Sequence, residues 1–208
     1  MKILLIDDHA MTIEGYCSIL GDTTHDYFKA YNCEQVYHFL QSGQVPDMAI
    51  VDHNLPAYPE QKLKSGQDCA LLIKQYAPDC IIVLITAHEE ALVLHKMYQK
   101  LLPEALITKG DFTPIDLKKI VEGHYTFPYY SIRVHEALRE VRTYDTLIRP
   151  TNIEILSYLV DGFKVSQISS VSTLSPIAIQ KRINNMLHEL NVSDSHELVK
   201  LVKKMNLF

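Results

Sequence analysis

Two apolar runs in this chain end on acid, and few arrangements can accommodate both. Met48 to Val51 has strand-forming character and runs into Asp52, and Pro56 soon afterwards forbids the strand from continuing. KILLI, at the very start, runs into Asp7 and Asp8. A carboxylate at the end of a buried strand is costly to bury unpaired, so something cationic or reactive must meet it. If the two strands lie side by side in a parallel sheet, all three acids gather at its carboxyl edge, where open α/β sheets bind ligands. Their mutual repulsion is relieved by a divalent cation, and an oxygen-only site with open positions suits Mg²⁺. Taken alone, Asp52 reads as a loop cap; its pairing with Asp7 and Asp8 reverses that reading.

Apolar strand patterns alternate with helical ones through the first part of the chain. KILLID precedes a helix from about Ala10 to Leu20, and DYFKAY reads as a weaker edge strand. Asn32 is placed as an N-cap with Gln35 in the capping-box position, and Gly43 closes that helix. A long polar loop, LPAYPEQKLKSG, separates MAIVD from the helical DCALLIKQY. CIIVLIT is a fourth strand ending on Thr86, EEALVLHKMYQKLL a helix and ALIT a fifth strand. DLKKIVEG, with Pro114 near its first turn, is the closing helix. Five strands with intervening helices make a doubly wound five-stranded parallel sheet, occupying residues 1–122.

Thr86 ends the fourth strand and Lys109 closely follows the fifth, so both project toward the edge that carries the acids. A hydroxyl and an ammonium beside three carboxylates and a cation can hold the oxygens of a phosphoryl group from several sides. Asp52 is then the nucleophile, with Mg²⁺ and Lys109 neutralising developing charge and Thr86 responding to the product. Singly, Lys109 reads as a surface lysine and Thr86 as a strand-end hydroxyl; the joint pattern is what is specific.

A chain of 208 residues holds one large or two modest domains, and 47% hydrophobic with 22% charged residues is ordinary for a soluble globular protein. No apolar run approaches a membrane span, and the N-terminal ILLI is too short and too soon acidic for a signal peptide, which implies a cytoplasmic protein with no membrane partner. Cys17, Cys33, Cys69 and Cys80 are scattered without a CxxC pair and read as reduced thiols. A net charge of −5 gives no global attraction to nucleic acid, so any DNA binding must be local.

Residues 123–147 change character. HYTFPYYS is rich in aromatics, and SIRVHEALREVRTYD reads as a linker helix with Val134, Leu138 and Val141 on one face and Arg139, Glu140 and Arg142 facing water. The tyrosines could stack on bases; with no basic residues between them, interdomain packing is the expected role. Residues 148–208 carry only helix signals and form a small all-α domain. Pro150 and Thr151 open one helix and Gly162 closes it. VSQISSV places Val165, Ile168 and Val171 on one face. Ser175 as N-cap and Pro176 at the first helical position open a helix with Ile179, Ile183, Met186, Leu187 and Leu190 at helical spacing. A last helix, about Ser195 to Lys204, presents Leu198, Leu201, Val202 and Met205. The short turn between two of these helices suggests a helix-turn-helix.

The first 122 residues resemble a response-regulator receiver domain: LLIDDHA matches its acidic pair, VDHNLP its phosphoacceptor, LITA its switch threonine and LITKG its lysine. The resemblance implies phosphorylation of Asp52 by a partner histidine kinase, Mg²⁺ held by Asp8 and Asp52 with Asp7 in support, and a backbone carbonyl ligand at Asn54. From about Pro150 to the end the chain looks like the LuxR-type DNA-binding domain of NarL-like regulators. That implies a recognition helix from Ser175 to Leu190, base contacts from Gln180, Lys181 and Asn184, and phosphate contacts from Arg182, Lys164 and the Ser175 end. A homodimer on double-stranded promoter DNA, paired through Leu198 and Leu201, follows from the same resemblance.

Three departures accompany the resemblance. Leu106 stands where the family places a switch aromatic, the loop from Ala57 to Ser65 is longer than usual, and Ile177, Ala178, Ile179 and Gln180 replace a more basic run. Fewer cations mean weaker DNA binding with a shallower salt dependence. The expected function is a phosphorylation-controlled transcription regulator and not an enzyme, beyond accepting and losing its own phosphoryl group. A phosphorylation-independent regulator or interaction module that keeps both folds is the alternative.

Overall fold

The structure is a computed structural model that describes residues 1–21, 25–142, 147 and 149–205, with backbone alone at position 142. The chain divides into two compact units, residues 1–89 with 96–135, and residues 90–95 with 136–208. In order, the first part comprises β1 (Lys2–Ile6), α1 (Ala10–Leu20), β2 (Asp26–Ala30), α2 (Cys33–Gln41), β3 (Met48–Asp52), α3 (Gly66–Tyr76), β4 (Ile81–Thr86), α4 (Ala91–Leu101), β5 (Ala105–Thr108), α5 (Pro114–Val121), β6 (Tyr129–Tyr130) and α6 (Ile132–Arg142). All strand pairs are parallel, in the order β2-β1-β3-β4-β5-β6. Order reverses at β1 and β3, the pair whose ends carry the acids.

Alternation along the strands decides which side chains face which layer. Ile3, Leu5, Met48, Ile50, Val83, Ile85, Ala105 and Ile107 bury against Ile13 and Leu20 of α1 and Leu117, Ile120 and Val121 of α5. The intervening residues, Leu4, Ile6, Ala49, Val51, Ile82, Leu84 and Leu106, are equally buried, with α3 packed against β3 and β4 and α2 packed against α3. Burial on both faces explains why β3 and β4 read as continuous apolar runs. Asn32 caps α2 by accepting from Gln35 N at 2.8 Å, while the Gln35 side chain reaches back to Tyr31 N, one residue earlier than a capping box would place it. α3 begins at Gly66, whose amide donates to His53 O at 2.8 Å. A Cβ there would lie 1.8 Å from Asp52 O, so only glycine lets this helix approach the end of β3.

The sheet has six strands where the sequence suggests five. Tyr129 and Tyr130 align with Ala105 and Leu106, the Tyr129 amide donates to Glu104 O at 2.8 Å and the Ser131 amide to Leu106 O at 3.1 Å. A two-residue strand preceded by Pro128 gives no periodic signal, yet it pairs the otherwise open edge of β5. Within its own unit the aromatic segment packs on the sheet: Tyr125, Phe127 and Tyr129 lie on the α1/α5 core, with the Tyr125 and Tyr129 rings 4.3 Å apart. In α6 the fully buried stripe is Val134, Ala137 and Val141, because a 3.6-residue repeat brings Ala137 inward and leaves Leu138 on the flank; Arg139 and Glu140 are exposed as expected. The expected continuation of this helix to Asp145, and the side chain of Arg142, lie outside the described residues. The loop from Ala57 to Ser65 is folded: Tyr58 and Leu63 exchange backbone hydrogen bonds at 2.8 and 3.1 Å around a turn at Pro59–Gln61.

In the second unit, α7 (Pro150–Val160), α8 (Val165–Val171), α9 (Pro176–Glu189) and α10 (Ser195–Lys204) enclose Ile155, Leu156, Ile168, Ile179, Ile183, Met186, Leu198 and Val202. Gly162, at φ +86°, ends α7, and Ser175 Oγ accepts from Ala178 N at 3.3 Å to open α9. Val171 is exposed, so α8 buries Ile168 with Val165 at the margin. Leu198 has no exposed surface, which removes it from any contact between protomers; the face of α10 anticipated for pairing is partly the domain's own core. Leu198→Ala is accordingly expected to lower the unfolding free energy by about 2–5 kcal/mol, read from urea denaturation. Leu201→Ala, at a partly exposed position, should cost under about 1 kcal/mol.

Candidate functional site

The register between β1, β3 and β4 sets Val51 beside Ile6 and Asp52 beside Ile85, so the loops after the three strands leave from one edge. Asp7 and Asp52 are 1% and 4% exposed, too buried for two bare carboxylates without a counter-charge. Lys109, in the turn after β5, supplies it: its Nζ lies 2.7 Å from Asp52 Oδ1 and 3.4 Å from Asp7 Oδ2. The second oxygen of Asp52 accepts from Asn54 N at 3.0 Å. Asp7 Oδ1 accepts from His9 N at 2.8 Å, and the His9 ring holds Nδ1 at 2.8 Å from Asp8 Oδ1. Donor atoms of Asp7, Asp8 and His9 lie within 4.8 Å of one another, a cluster that can hold a cation.

Burial pushes the Asp52 carboxyl up from its ordinary range, and Asp7 adds to the shift, while Lys109 and the Asn54 amide oppose it. Burial in turn draws Lys109 down, but the ion pairs with Asp52 and Asp7 outweigh it and leave the ammonium above its usual range. Tyr16 on α1 is also raised, first by burial and then by the charges of Asp7 and Asp52, which marks it as a neighbour of the site. His53 is lowered to about 4, by burial and then by His88, whose ring centroid is 5.7 Å away; its buried Nδ1 has no hydrogen-bond partner. The two imidazoles line the loops that follow β3 and β4.

Thr86 closes β4 fully buried, and its Oγ1 accepts from His88 N at 3.1 Å. Leu106 is fully buried in β5, opposite Tyr130 of β6, whose ring lies 5.6 Å from Tyr98 of α4. An aromatic thus stands beside the position where the sequence has leucine, supplied by a strand the sequence does not reveal. Of the residues singled out from sequence, the geometry brings Asp7, Asp52 and Lys109 into direct contact, sets Asp8 against Asp7 through His9, and anchors Asn54 by its amide; Thr86 ends the adjacent strand. Gly66, Tyr16 and His53 escaped that reading. Gly66 could have been found only from the need for close backbone approach.

In the helical unit, Gln180, Lys181 and Asn184 are exposed on α9. Gln180 Nε2 donates to Asn184 Oδ1 at 3.0 Å, one helical turn away. Lys164 is exposed at the start of α8. Ser175 caps α9, and Arg182 is partly buried with Nη1 donating to Asn152 Oδ1 at 3.0 Å.

Residues 3–122 match the family described as the response regulator receiver domain, and the chain belongs to that family. Over 97% of its length, and 97% of the relative's, the chain is 23% identical to the transcriptional regulatory protein ComA of Bacillus subtilis. Among solved structures it resembles the RcsB response regulator of Salmonella typhimurium, at TM-score 0.71 and 19% identity over 98% of this chain and 99% of that one. It also resembles RcsB of Salmonella enterica serovar Typhimurium bound to promoter rprA, at TM-score 0.65 and 18% identity over 96% of each chain. A LuxR-family response regulator from Aurantimonas sp. matches at TM-score 0.53 and 20% identity over 68% of this chain and 96% of that one. Among the described residues, no helix is long and apolar enough to cross a membrane.

Replacing Lys109 leaves Asp7 and Asp52 facing each other. Since the lysine side chain is 38% exposed, solvent screens part of the loss, and Lys109→Met should destabilise the fold by about 1–3 kcal/mol in urea denaturation at neutral pH. Adding Asp52→Asn should recover much of that loss; an equally unstable double variant would show that the lysine acts through packing alone.

Proposed function

We propose that this protein is a two-component response regulator that binds promoter DNA under the control of phosphorylation at Asp52. The observation that carries this reading is the Lys109 ammonium held 2.7 Å from a buried Asp52 carboxylate and in contact with Asp7. One carboxylate oxygen of Asp52 attacks the phosphorus of a phosphohistidine on a sensor histidine kinase; the P–N bond breaks, the imidazole departs, and an acyl phosphate remains. Lys109 offsets charge on the transferred group, and the Thr86 hydroxyl hydrogen-bonds to one of its oxygens. Asp7, Asp8 and Asp52, with the Asn54 carbonyl, suit a hard cation, and they would hold Mg²⁺. The bound ion would offset the charge of the carboxylates and of the phosphoryl oxygens. The reaction is self-modification, reversed by hydrolysis, and the chain is no enzyme toward outside substrates.

The output is DNA binding by the helix-turn-helix of α8 and α9. ComA is a transcriptional regulatory protein, and RcsB has been solved on promoter DNA; the continuous likeness to both supports carrying that output to this chain. Gln180 and Asn184 have the amides for bidentate contact with adenine, and Lys181 reaches guanine or phosphate. Lys164, Ser175 and Arg182 serve the backbone, Arg182 through the guanidinium nitrogens left after its bond to Asn152. Few cations line this face, so a homodimer reading two half-sites supplies affinity that one module lacks. The reading places the protein in the cytoplasm with its DNA and its kinase.

The test is fluorescence anisotropy on a duplex selected from random sequence by the full-length protein. Acetyl phosphate with Mg²⁺ should change the affinity of the wild type at least about tenfold, about 1.4 kcal/mol, and leave Asp52→Asn unchanged. Gln180→Ala or Asn184→Ala should relax preference at one position per half-site, whereas equal weakening on every sequence would assign them to the backbone. A wild type whose affinity ignores the phosphodonor would contradict the reading.

A further inference from the structure

The start of α6 is fastened to both loops that carry the groups around Asp52. On one side, Arg133 Nε donates to the carbonyl of Glu89 at 2.7 Å, in the loop that follows Thr86. On the other, the Arg133 amide donates to Asp111 Oδ2 at 2.7 Å, two residues beyond Lys109. The same Asp111 oxygen accepts from Thr108 Oγ1 at 3.0 Å, and Thr108 N donates to Ser131 Oγ at 3.2 Å. Asp111 therefore satisfies an amide at the N-terminus of α6 from outside the helix, where a carboxylate is favoured. The two loops also touch each other: a Cβ on Gly110 would lie 3.0 Å from Glu89 Oε1.

We propose that Arg133 is a positioning residue that couples the phosphoryl site to α6, acting through Glu89 on the Thr86 loop and through Asp111 on the Lys109 loop. This rests on Asp52 being the phosphoacceptor. Thr86 Oγ1 accepts from His88 N, so drawing that hydroxyl onto a phosphoryl oxygen carries His88 and Glu89 with it, against the bond from Arg133. Lys109 and Asp111 share one short turn, so any shift of the ammonium toward the phosphoryl group reaches the Arg133 amide. The chain passes through α6 on its way to the helix-turn-helix, which makes the first turn of α6 the element where movement of the two loops is gathered. Because the Arg133–Glu89 bond is made while Thr86 is bonded within its own loop, it resists the phosphorylated arrangement. Coupling is reciprocal, so what α6 feels from the site, the site must feel from α6.

Full-length wild type, Arg133→Ala and Arg133→Lys are incubated with acetyl phosphate and Mg²⁺, and phosphoryl uptake is followed by intact mass. Loss of one solvent-exposed, charge-assisted hydrogen bond that resists the change should speed uptake by about two- to tenfold in Arg133→Ala, with the lysine variant between it and wild type. Hydrogen exchange separates coupling from mere stability: on phosphorylation, amides of residues 132–136 should change protection more in wild type than in Arg133→Ala, which keeps the backbone bond to Asp111 and loses the one to Glu89, while those of β4 and β5 respond alike in both. Equal uptake rates and an equal response of α6 in wild type and Arg133→Ala would overturn the coupling and leave Asp52 as acceptor. Failure of the wild type to take up phosphoryl would overturn both.

Discussion

One lysine between two buried carboxylates is the interaction on which the first unit depends. Asp7 and Asp52 sit at the ends of β1 and β3 because the apolar residues before them fill both faces of a parallel sheet, and that sheet is stable only if its strand ends are electrically tolerable. Lys109, arriving from β5, bridges the two. The same contact that reconciles the acids holds Asp52, the proposed nucleophile, beside a cation at an open edge, so on that proposal the requirement of stability and the preparation for chemistry are met by one side chain. Burial holds the carboxyl of Asp52 up and the lysine opposes that shift; the site is a balance between these two forces.

What surrounds this pair is a set of loops with little freedom to move independently. Gly66 lets α3 lie against the Asp52 carbonyl, His53 donates its amide to Ile85 O, and Ser131, Arg133 and Asp111 join the loops after β4 and β5 to the start of α6. A change at Asp52 meets a connected backbone, and such a network passes on small displacements as discrete rearrangements. The short strand β6 extends this connection by setting Tyr130 beside Leu106 and against Tyr98.

Most of the sheet and the acid–lysine pair were legible because they rest on strong local signals: apolar runs that stop on acids, a threonine and a lysine at the ends of later strands. The helix-turn-helix was legible from Ser175–Pro176, Gly162 and the spacing of Ile179, Ile183 and Met186. What escaped depends on long-range partners. A two-residue strand has no period of its own, so Tyr129 and Tyr130 read as aromatic linker until β5 offers an edge. Leu198 and Leu201 look alike in sequence; only packing against neighbouring helices decides that the first is core and the second partly exposed. Gly66 and Asp111 matter through contacts with residues before or after them in space, which no spacing rule records.

The central claim is that the Asp52 carboxylate, held by Lys109, accepts a phosphoryl group, and intact-protein mass spectrometry tests it most directly; the chain has no tryptophan whose quenching could report it. After incubation with Mg²⁺ and acetyl phosphate, the account predicts one added phosphoryl group on the wild type and none on Asp52→Asn. Equal incorporation in the two proteins would move the acceptor elsewhere, and none in either would remove phosphoryl transfer from the account of this site.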